Sequence, residues 1–217
     1  MNFKKIILFL LCLFPFNVLG DDITLSAGAG ILMEYSTGEV LYELNSHEKM
    51  APASMTKIMT LIITMEELYK KNVSLNDEVI VSSNAASMGG SQVFLDANSK
   101  IKFEDLLKAI VVASANDAAV VMAEYISGTT GAFVDRMNKT AKDLGCKNTN
   151  FVNVHGLDDD NHYTTSYDMA LMARELLKYE DILKYTTIYE AYLNKPDGTS
   201  IWMVNTNKVV YKNYYNR

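Results

Sequence analysis

Cysteine is almost absent from this chain. Two of its 217 residues are cysteines, Cys12 and Cys146. Cys12 falls in a leader-like stretch, so no intrachain disulfide can staple the remainder. No histidine or basic cluster adjoins Cys146, which is expected to be a buried structural thiol rather than a reactive one. Blocks of basic residues are missing too. Lys and Arg total 20 against 26 Asp and Glu, a formal charge of −6, and nucleic acid is excluded as a partner. Beyond the N-terminus no segment is long and apolar enough to span a membrane. There is no internal repeat and no low-complexity tract. Only 21% of residues are charged and apolar segments recur throughout, which excludes a disordered chain. The length suits one domain with a sizeable core, or one and a fraction.

Residues 1–20 are expected to be a secretory signal peptide. Lys4 and Lys5 precede an unbroken apolar run over 6–14, and Val18-Leu19-Gly20 precedes Asp21-Asp22, the expected mature start. An uncleaved anchor is the competing reading, but the run is short for a span and Pro15 interrupts it. Leu11 is too bulky for a lipoprotein cleavage site at Cys12. Setting aside Lys4 and Lys5 leaves 18 basic residues against 26 acidic ones, a charge of −8.

Beyond residue 20 the chain has the periodicity of a mixed helix and strand protein. Residues 29–35 and 39–43 flank Ser36-Thr37-Gly38 as a β-hairpin. Residues 58–69 form a helix apolar on more than one stripe, hence buried on most sides. Residues 85–91, with Gly89 and Gly90, are expected as a loop. A helix is expected over 103–113 with Glu104 and Asp105 in its first turn. After Ser114-Ala115-Asn116, Asp117 is placed to cap a second apolar helix over 118–126. Another helix covers 131–144 and ends at Gly145. Thr165 opens a helix over 166–179 with Asp168 placed as in a capping box. Helix is expected to continue over 181–192, before a turn at Pro196-Asp197-Gly198 and a strand from Ile201.

Two short patterns carry chemistry. Ser54-Met55-Thr56-Lys57 places a hydroxyl and an amine one turn apart at the start of a buried helix. A serine needs a base to take its proton, and burial can lower a lysine's pKa enough for that task. The alternative is an N-cap serine followed by a solvated lysine. Ser114-Ala115-Asn116 is either a plain break between two helices or a polar triplet held in the interior. His155, Asp158, Asp159, Asp160 and His162 invite a metal reading, but their spacing fits no standard zinc or calcium pattern, and neither a metal nor a cofactor is expected.

Taken with their surroundings, these patterns resemble the low-molecular-mass D-alanyl-D-alanine carboxypeptidases, the penicillin-binding serine peptidases of bacterial cell-wall maturation. Ala29-Gly30-Ile31-Leu32-Met33-Glu34, Thr37-Gly38-Glu39-Val40-Leu41-Tyr42, Pro52-Ala53-Ser54-Met55-Thr56-Lys57, Val154-His155-Gly156-Leu157-Asp158, Tyr167-Asp168-Met169-Ala170 and Val204-Asn205-Thr206-Asn207-Lys208 carry the resemblance, which covers roughly residues 29–210. It implies an α/β fold of the DD-peptidase and serine β-lactamase type, a mixed sheet plus a helical subdomain. It also implies an acyl-transfer cycle. Ser54 is the acyl-ester nucleophile, Lys57 the proton acceptor and Ser114 a proton relay to the leaving amine. Asn116 positions Lys57 and the substrate amide, and His155 lies near the substrate cleft. The implied partners are a peptidoglycan stem peptide ending in D-Ala-D-Ala and β-lactams as covalent inhibitors. The implied location is the periplasm or the outer face of the bacterial cytoplasmic membrane.

The family's third motif, Lys-Thr-Gly, does not occur in these 217 residues. Residues 21–217 are therefore expected to be an incomplete catalytic domain lacking its C-terminal strands, with the membrane anchor also absent. Two other functions compete. One is a non-catalytic penicillin-binding or wall-binding fragment. The other is a class A β-lactamase, for which Glu175 is the only glutamate between Cys146 and Tyr179 and stands inside a predicted helix.

Overall fold

A computed structural model describes residues 26–195 and 198–211. The expected signal peptide, and Pro196-Asp197 of the expected turn, lie outside the described residues. Strands β1 (Gly30–Met33) and β2 (Val40–Leu44) form an antiparallel ribbon with an irregularity between Leu32 and Met33. Glu34 organises its turn by accepting from the backbone N–H and hydroxyl of Thr37 and from the Ser36 hydroxyl. These donors hold the Glu34 carboxyl down at about 2.

A 3-10 turn, Ala53–Thr56, leads into helix α1, Lys57–Tyr69. The apolar residues on several of its sides are explained by its place in the fold. It packs against three later helices, α4 (Asn116–Ser127), α5 (Thr130–Asp143) and α6 (Ser166–Leu177). Met59, Leu61, Ile62, Ile63 and Met65 are all buried in the core. A helix surrounded in this way has no wet face on its first two turns, so its polar groups there must be paired within the protein.

Between α1 and α4 lie β3 (Glu78–Ile80), a short helix α2 (Ser83–Ala86), β4 (Lys100–Lys102) and α3 (Phe103–Ala113). β3 and β4 form a second antiparallel ribbon. The chain closes with a 3-10 turn (Glu180–Ile182), α7 (Leu183–Thr186), β5 (Glu190–Asn194), β6 (Ser200–Val204) and α8 (Lys208–Tyr211). β5 and β6 pair antiparallel, and both pack on α3. Among the described residues the strands thus form three two-stranded antiparallel ribbons around a helical core.

Several local expectations change. The loop expected over 85–91 begins inside α2, where Ser82 caps the helix by accepting from Ala85 N–H. Residues 181–192 do not form one helix. Only a 3-10 turn and one α turn form, and the chain is extended from Glu190, where Leu193 and Met203 find buried places against the core. Thr165 does accept from Asp168 N–H as an N-cap, but the Asp168 carboxylate turns elsewhere. It accepts from the N–H groups of Lys147 and Asn148 and from the Thr149 hydroxyl. Cys146 is half-buried beside it, and burial together with the Asp168 charge pushes its thiol up to about 12.

Asp117 is not a cap either. Ala115 holds the N-cap position of α4, and Asp117, 1% exposed, accepts from the N–H groups of Val93, Leu95 and Ala118. It is a buried staple for a segment that forms no strand. Removing the carboxylate leaves two loop amides buried without an acceptor. Asp117→Ala is expected to lower stability by about 2–4 kcal/mol, read from the midpoint of urea denaturation.

Candidate active site

Ser54 sits on a tight turn with unusual backbone geometry. Pro52 is in the right-handed helical region, φ −74° and ψ −16°. Ala53 then takes φ +46°, a left-handed value that costs a residue with a Cβ about 1–2 kcal/mol. Ser54 and Met55 face solvent, while Thr56 and Lys57 point inward. The nucleophile candidate is therefore on a 3-10 turn just ahead of α1, yet it still shares a face with Lys57.

Lys57 is 3% exposed. Its Nζ lies 3.2 Å from Ser54 Oγ and donates to the backbone carbonyl of His155 at 2.8 Å. Burial brings its pKa down from 10.5 to about 8. An ammonium has three donors, and only these two acceptors meet it among the described residues. With the amine neutral, one N–H still serves His155 O, and the lone pair can take the Ser54 hydroxyl proton along the same 3.2 Å contact. The arrangement suits a base and its nucleophile, and it replaces the solvated lysine that the short pattern alone allowed.

The His155 carbonyl is held in place from several sides. One turn further along α1, Thr60 Oγ1 donates to Val154 O at 2.7 Å. Asn153 Oδ1 accepts from the N–H of Gly156, and its amide donates to Leu157 O. Gly156, at φ +94°, lies so close to the nucleophile turn that a Cβ there would stand 1.9 Å from Ala53 O and 2.9 Å from Thr56 Oγ1. The His155 ring accepts from Leu157 N–H through Nδ1. Burial, then the charges of Lys57 and His162, bring its pKa down to about 4.

Ser114 is the C-cap of α3 in a left-handed conformation, φ +57° and ψ +35°, a position that glycine usually fills. It is half-buried, and its hydroxyl makes no hydrogen bond to another described residue. Asn116 is buried at the first position of α4. Its amide donates to Gly89 O at 2.8 Å, and its backbone N–H donates to Ser91 O at 2.7 Å. The expected contact between Asn116 and Lys57 is not formed. The amide instead holds the loop containing Gly89 and Gly90, because that backbone would otherwise keep a bare carbonyl over the end of α4. A Cβ on Gly90 would stand 2.8 Å from Asn116 Nδ2 and 3.4 Å from Leu157. A side chain at Gly90 would therefore meet both the Asn116 side of the site and the Leu157 side.

The acidic loop does not gather a ligand set. Both ring nitrogens of His162 are engaged, Nδ1 by Val152 N–H and Nε2 by Thr56 Oγ1. No group of three or more His, Cys, Asp or Glu side chains among the described residues is arranged to hold a metal ion. A cavity of about 1060 Å³ lies at the far end of α1 between Met65, Leu68, Tyr69, Tyr179 and Tyr185. Glu175 lines that cavity and so stands at the opposite end of α1 from Ser54. A smaller pocket of about 380 Å³ lies beside the nucleophile turn, between Gly30 and Ile31 of β1 and Pro52, Met55 and Met169.

Sequence reasoning did not find Thr60 or the His155 carbonyl, nor the parts that Gly90, Gly156 and His162 play in the geometry. A backbone acceptor leaves no mark in a side-chain pattern. The His155-Gly156 pair was the one available signal.

A family model described as D-alanyl-D-alanine carboxypeptidase, peptidase S11, matches residues 17–217. The D-alanyl-D-alanine carboxypeptidase DacF of Bacillus subtilis is 50% identical over 190 residues, 88% of this chain and 49% of that protein. DacC of Escherichia coli is 39% identical over 160 residues, 71% and 40% of the two chains. Among solved structures, DacD of Francisella tularensis superposes with a TM-score of 0.79 at 40% identity, covering 82% of this chain and 44% of that one. Penicillin-binding protein 5 of Haemophilus influenzae gives 0.82 at 33% identity, covering 88% and 55%. The chain spans about half the length of these relatives, and its α/β architecture is theirs.

The contact between Gly156 and Ala53 yields a test of the geometry. Gly156→Ala is expected to cost at least about 2 kcal/mol from the left-handed backbone and the overlap with Ala53 O. Thermal melting of the 217-residue chain would measure it, and a neutral outcome would show that the approach is looser than described.

Proposed function

This chain belongs to the D-alanyl-D-alanine carboxypeptidase family, peptidase S11, and on that premise we propose that it is a serine carboxypeptidase removing the terminal D-alanine from peptidoglycan stem peptides through an acyl-enzyme on Ser54. The observation that carries this reading is the buried Lys57 amine, lowered to about 8 and placed 3.2 Å from the Ser54 hydroxyl. Ser54 Oγ attacks the carbonyl carbon between the last two D-alanines while its proton passes to Lys57 Nζ. Collapse of the tetrahedral species breaks the C–N bond. The leaving amine takes a proton, with Ser114 as relay from Lys57, and departs as D-alanine. Water then hydrolyses the ester and frees Ser54.

Asn116 acts in this scheme by fixing the Gly89-Gly90 loop, and its carbonyl oxygen is the group that can meet a substrate amide. His155 acts through its backbone oxygen. β-Lactams acylate the same serine, because their strained amide presents the same carbonyl. The site of action is outside the cytoplasm, after export by residues 1–20, and residues 21–217 belong to the catalytic domain. A β-lactamase reading is disfavoured, since its required glutamate has only Glu175 as candidate and that residue faces the distant cavity.

Two outcomes test the proposal. A fluorescent penicillin should label the 217-residue chain covalently at Ser54, and Ser54→Ala should abolish the label. Lys57→Gln should slow labelling by about 10²- to 10⁴-fold, the usual contribution of a general base. An unlabelled wild-type chain would sink the acyl-enzyme reading for these residues. The pH dependence has a definite sign. With Lys57 at about 8, only about a tenth of the amine is neutral at pH 7. The acylation rate should therefore rise through a midpoint near 8 and level off above it. A flat profile between pH 6 and 9 would exclude Lys57 as the base.

A further inference from the structure

His162 has no part in the acyl-transfer scheme, yet it is buried directly behind the nucleophile turn. Its Nδ1 lies 3.1 Å from the N–H of Val152, which can only donate, so Nδ1 is the acceptor and Nε2 carries the proton. Nε2–H then donates to Thr56 Oγ1 at 2.7 Å. One neutral ring thus bridges two segments remote from each other in the chain, at Thr56 and at Val152. The first is the turn carrying Ser54. The second is the segment that begins at Val152 and reaches His155, whose carbonyl receives the Lys57 amine. Thr56 Oγ1 is also the atom 2.9 Å from where a Gly156 Cβ would stand. The ring therefore fixes one wall of the closest approach in the site.

We propose that His162 is a positioning residue for the acyl-transfer site: its neutral ring holds the nucleophile turn and the His155 segment at the spacing that lets Lys57 reach both Ser54 and its carbonyl acceptor. The proposal rests on the reading of Ser54 and Lys57 as nucleophile and base. The groups around the ring fit a neutral imidazole. Phe151 packs edge-on with ring centroids 5.7 Å apart. Asp159, in the same loop, is the one charge that favours protonation. On the site side, the charges of Lys57 and His162 disfavour a proton on His155. Burial lowers the His162 pKa below its ordinary value. A proton on Nδ1 would face the Val152 N–H and break that half of the brace. Because the folded-state pKa is depressed, this contribution is fully present above about 6.5 and is lost as pH falls toward the lower folded value.

Three variants separate the two halves of the brace. His162→Phe keeps an aromatic ring and removes both hydrogen bonds. His162→Gln retains a donor at the reach of Nε2, and His162→Asn retains an acceptor at the reach of Nδ1. The first readout is acylation of Ser54 by a fluorescent penicillin as a function of pH. The second is amide hydrogen exchange over 151–157 and over the nucleophile turn, which needs no activity. His162→Phe, shown folded by its melting transition, is expected to acylate about 10- to 100-fold more slowly, the scale of a small misplacement at a reacting centre. Its pH midpoint should move above the wild-type value as water reaches Lys57. Exchange should rise in those two segments and stay unchanged in α3. Gln or Asn should restore part of the rate. If the rate, the midpoint and the exchange of His162→Phe all match wild type, the proposal is overturned. It is also overturned if the segments loosen while rate and midpoint hold. If the wild-type chain does not acylate, the carboxypeptidase reading fails by itself. The exchange arm then decides the brace: unchanged exchange overturns it, and selective loosening supports it.

Discussion

The structure depends on keeping one amine dry. Lys57 stands at the first position of a helix packed on several sides by other helices. Burying an ammonium there with two acceptors would be costly, so its proton is held weakly and the pKa falls to about 8. The apolar sequence of α1 is therefore more than a core filler. Met59, Leu61, Ile62 and Ile63 exclude the water that would return Lys57 to an ordinary surface lysine. The same dryness obliges every nearby polar group to find a protein partner. Thr60 is bonded to Val154 O, and Thr64 to the Thr60 carbonyl one turn back. Buried Asp117 and Asp168 each collect donors from segments that form no strand.

Two backbone outliers stand at the candidate site. Among the described residues six non-glycine residues have positive φ, and Ala53 and Ser114 are two of them. One precedes the nucleophile candidate, and the other is the candidate relay itself. A glycine at either position would relieve the backbone, yet at position 114 it would remove the hydroxyl. Such outliers persist only where the surroundings over-determine them. Here Gly156 presses on Ala53 O, and the N–H groups of Ser114 and Ala115 both turn back to Ala109 O.

The sequence was legible where side-chain periodicity alone decides the outcome. Helix α3 runs over the expected 103–113, since its apolar stripe and acidic first turn agree with each other. The first hairpin and the nucleophile helix were equally plain. Legibility failed where tertiary contacts outvote local preference. Residues 190–192 look helical beside the preceding segment, but pairing of 190–194 with 200–204 buries Leu193 and Met203 against α3. Asp117 has a capping residue's identity and place, yet two distant loop amides claim its carboxylate. In the site, Ser54 and Lys57 were visible as a pair because an interval of three residues places them together. The His155 carbonyl was not, because every residue carries one.

That contrast bears on how the site is built. In the proposed scheme side chains supply the groups that exchange protons, while backbone atoms from remote loops supply the groups that orient them. Asn116 illustrates the division. Its side-chain amide is spent on Gly89 O, next to Gly90, where an added Cβ would reach both Asn116 and Leu157. On the proposed scheme a change at Asn116 would act along two routes, by loss of a group that can meet substrate and by release of the Gly89-Gly90 loop. The routes differ physically. The first leaves the free protein unaltered, and the second loosens it before any substrate arrives. The folded chain already uses the Asn116 amide, on Gly89 O, whatever part its carbonyl oxygen takes with substrate.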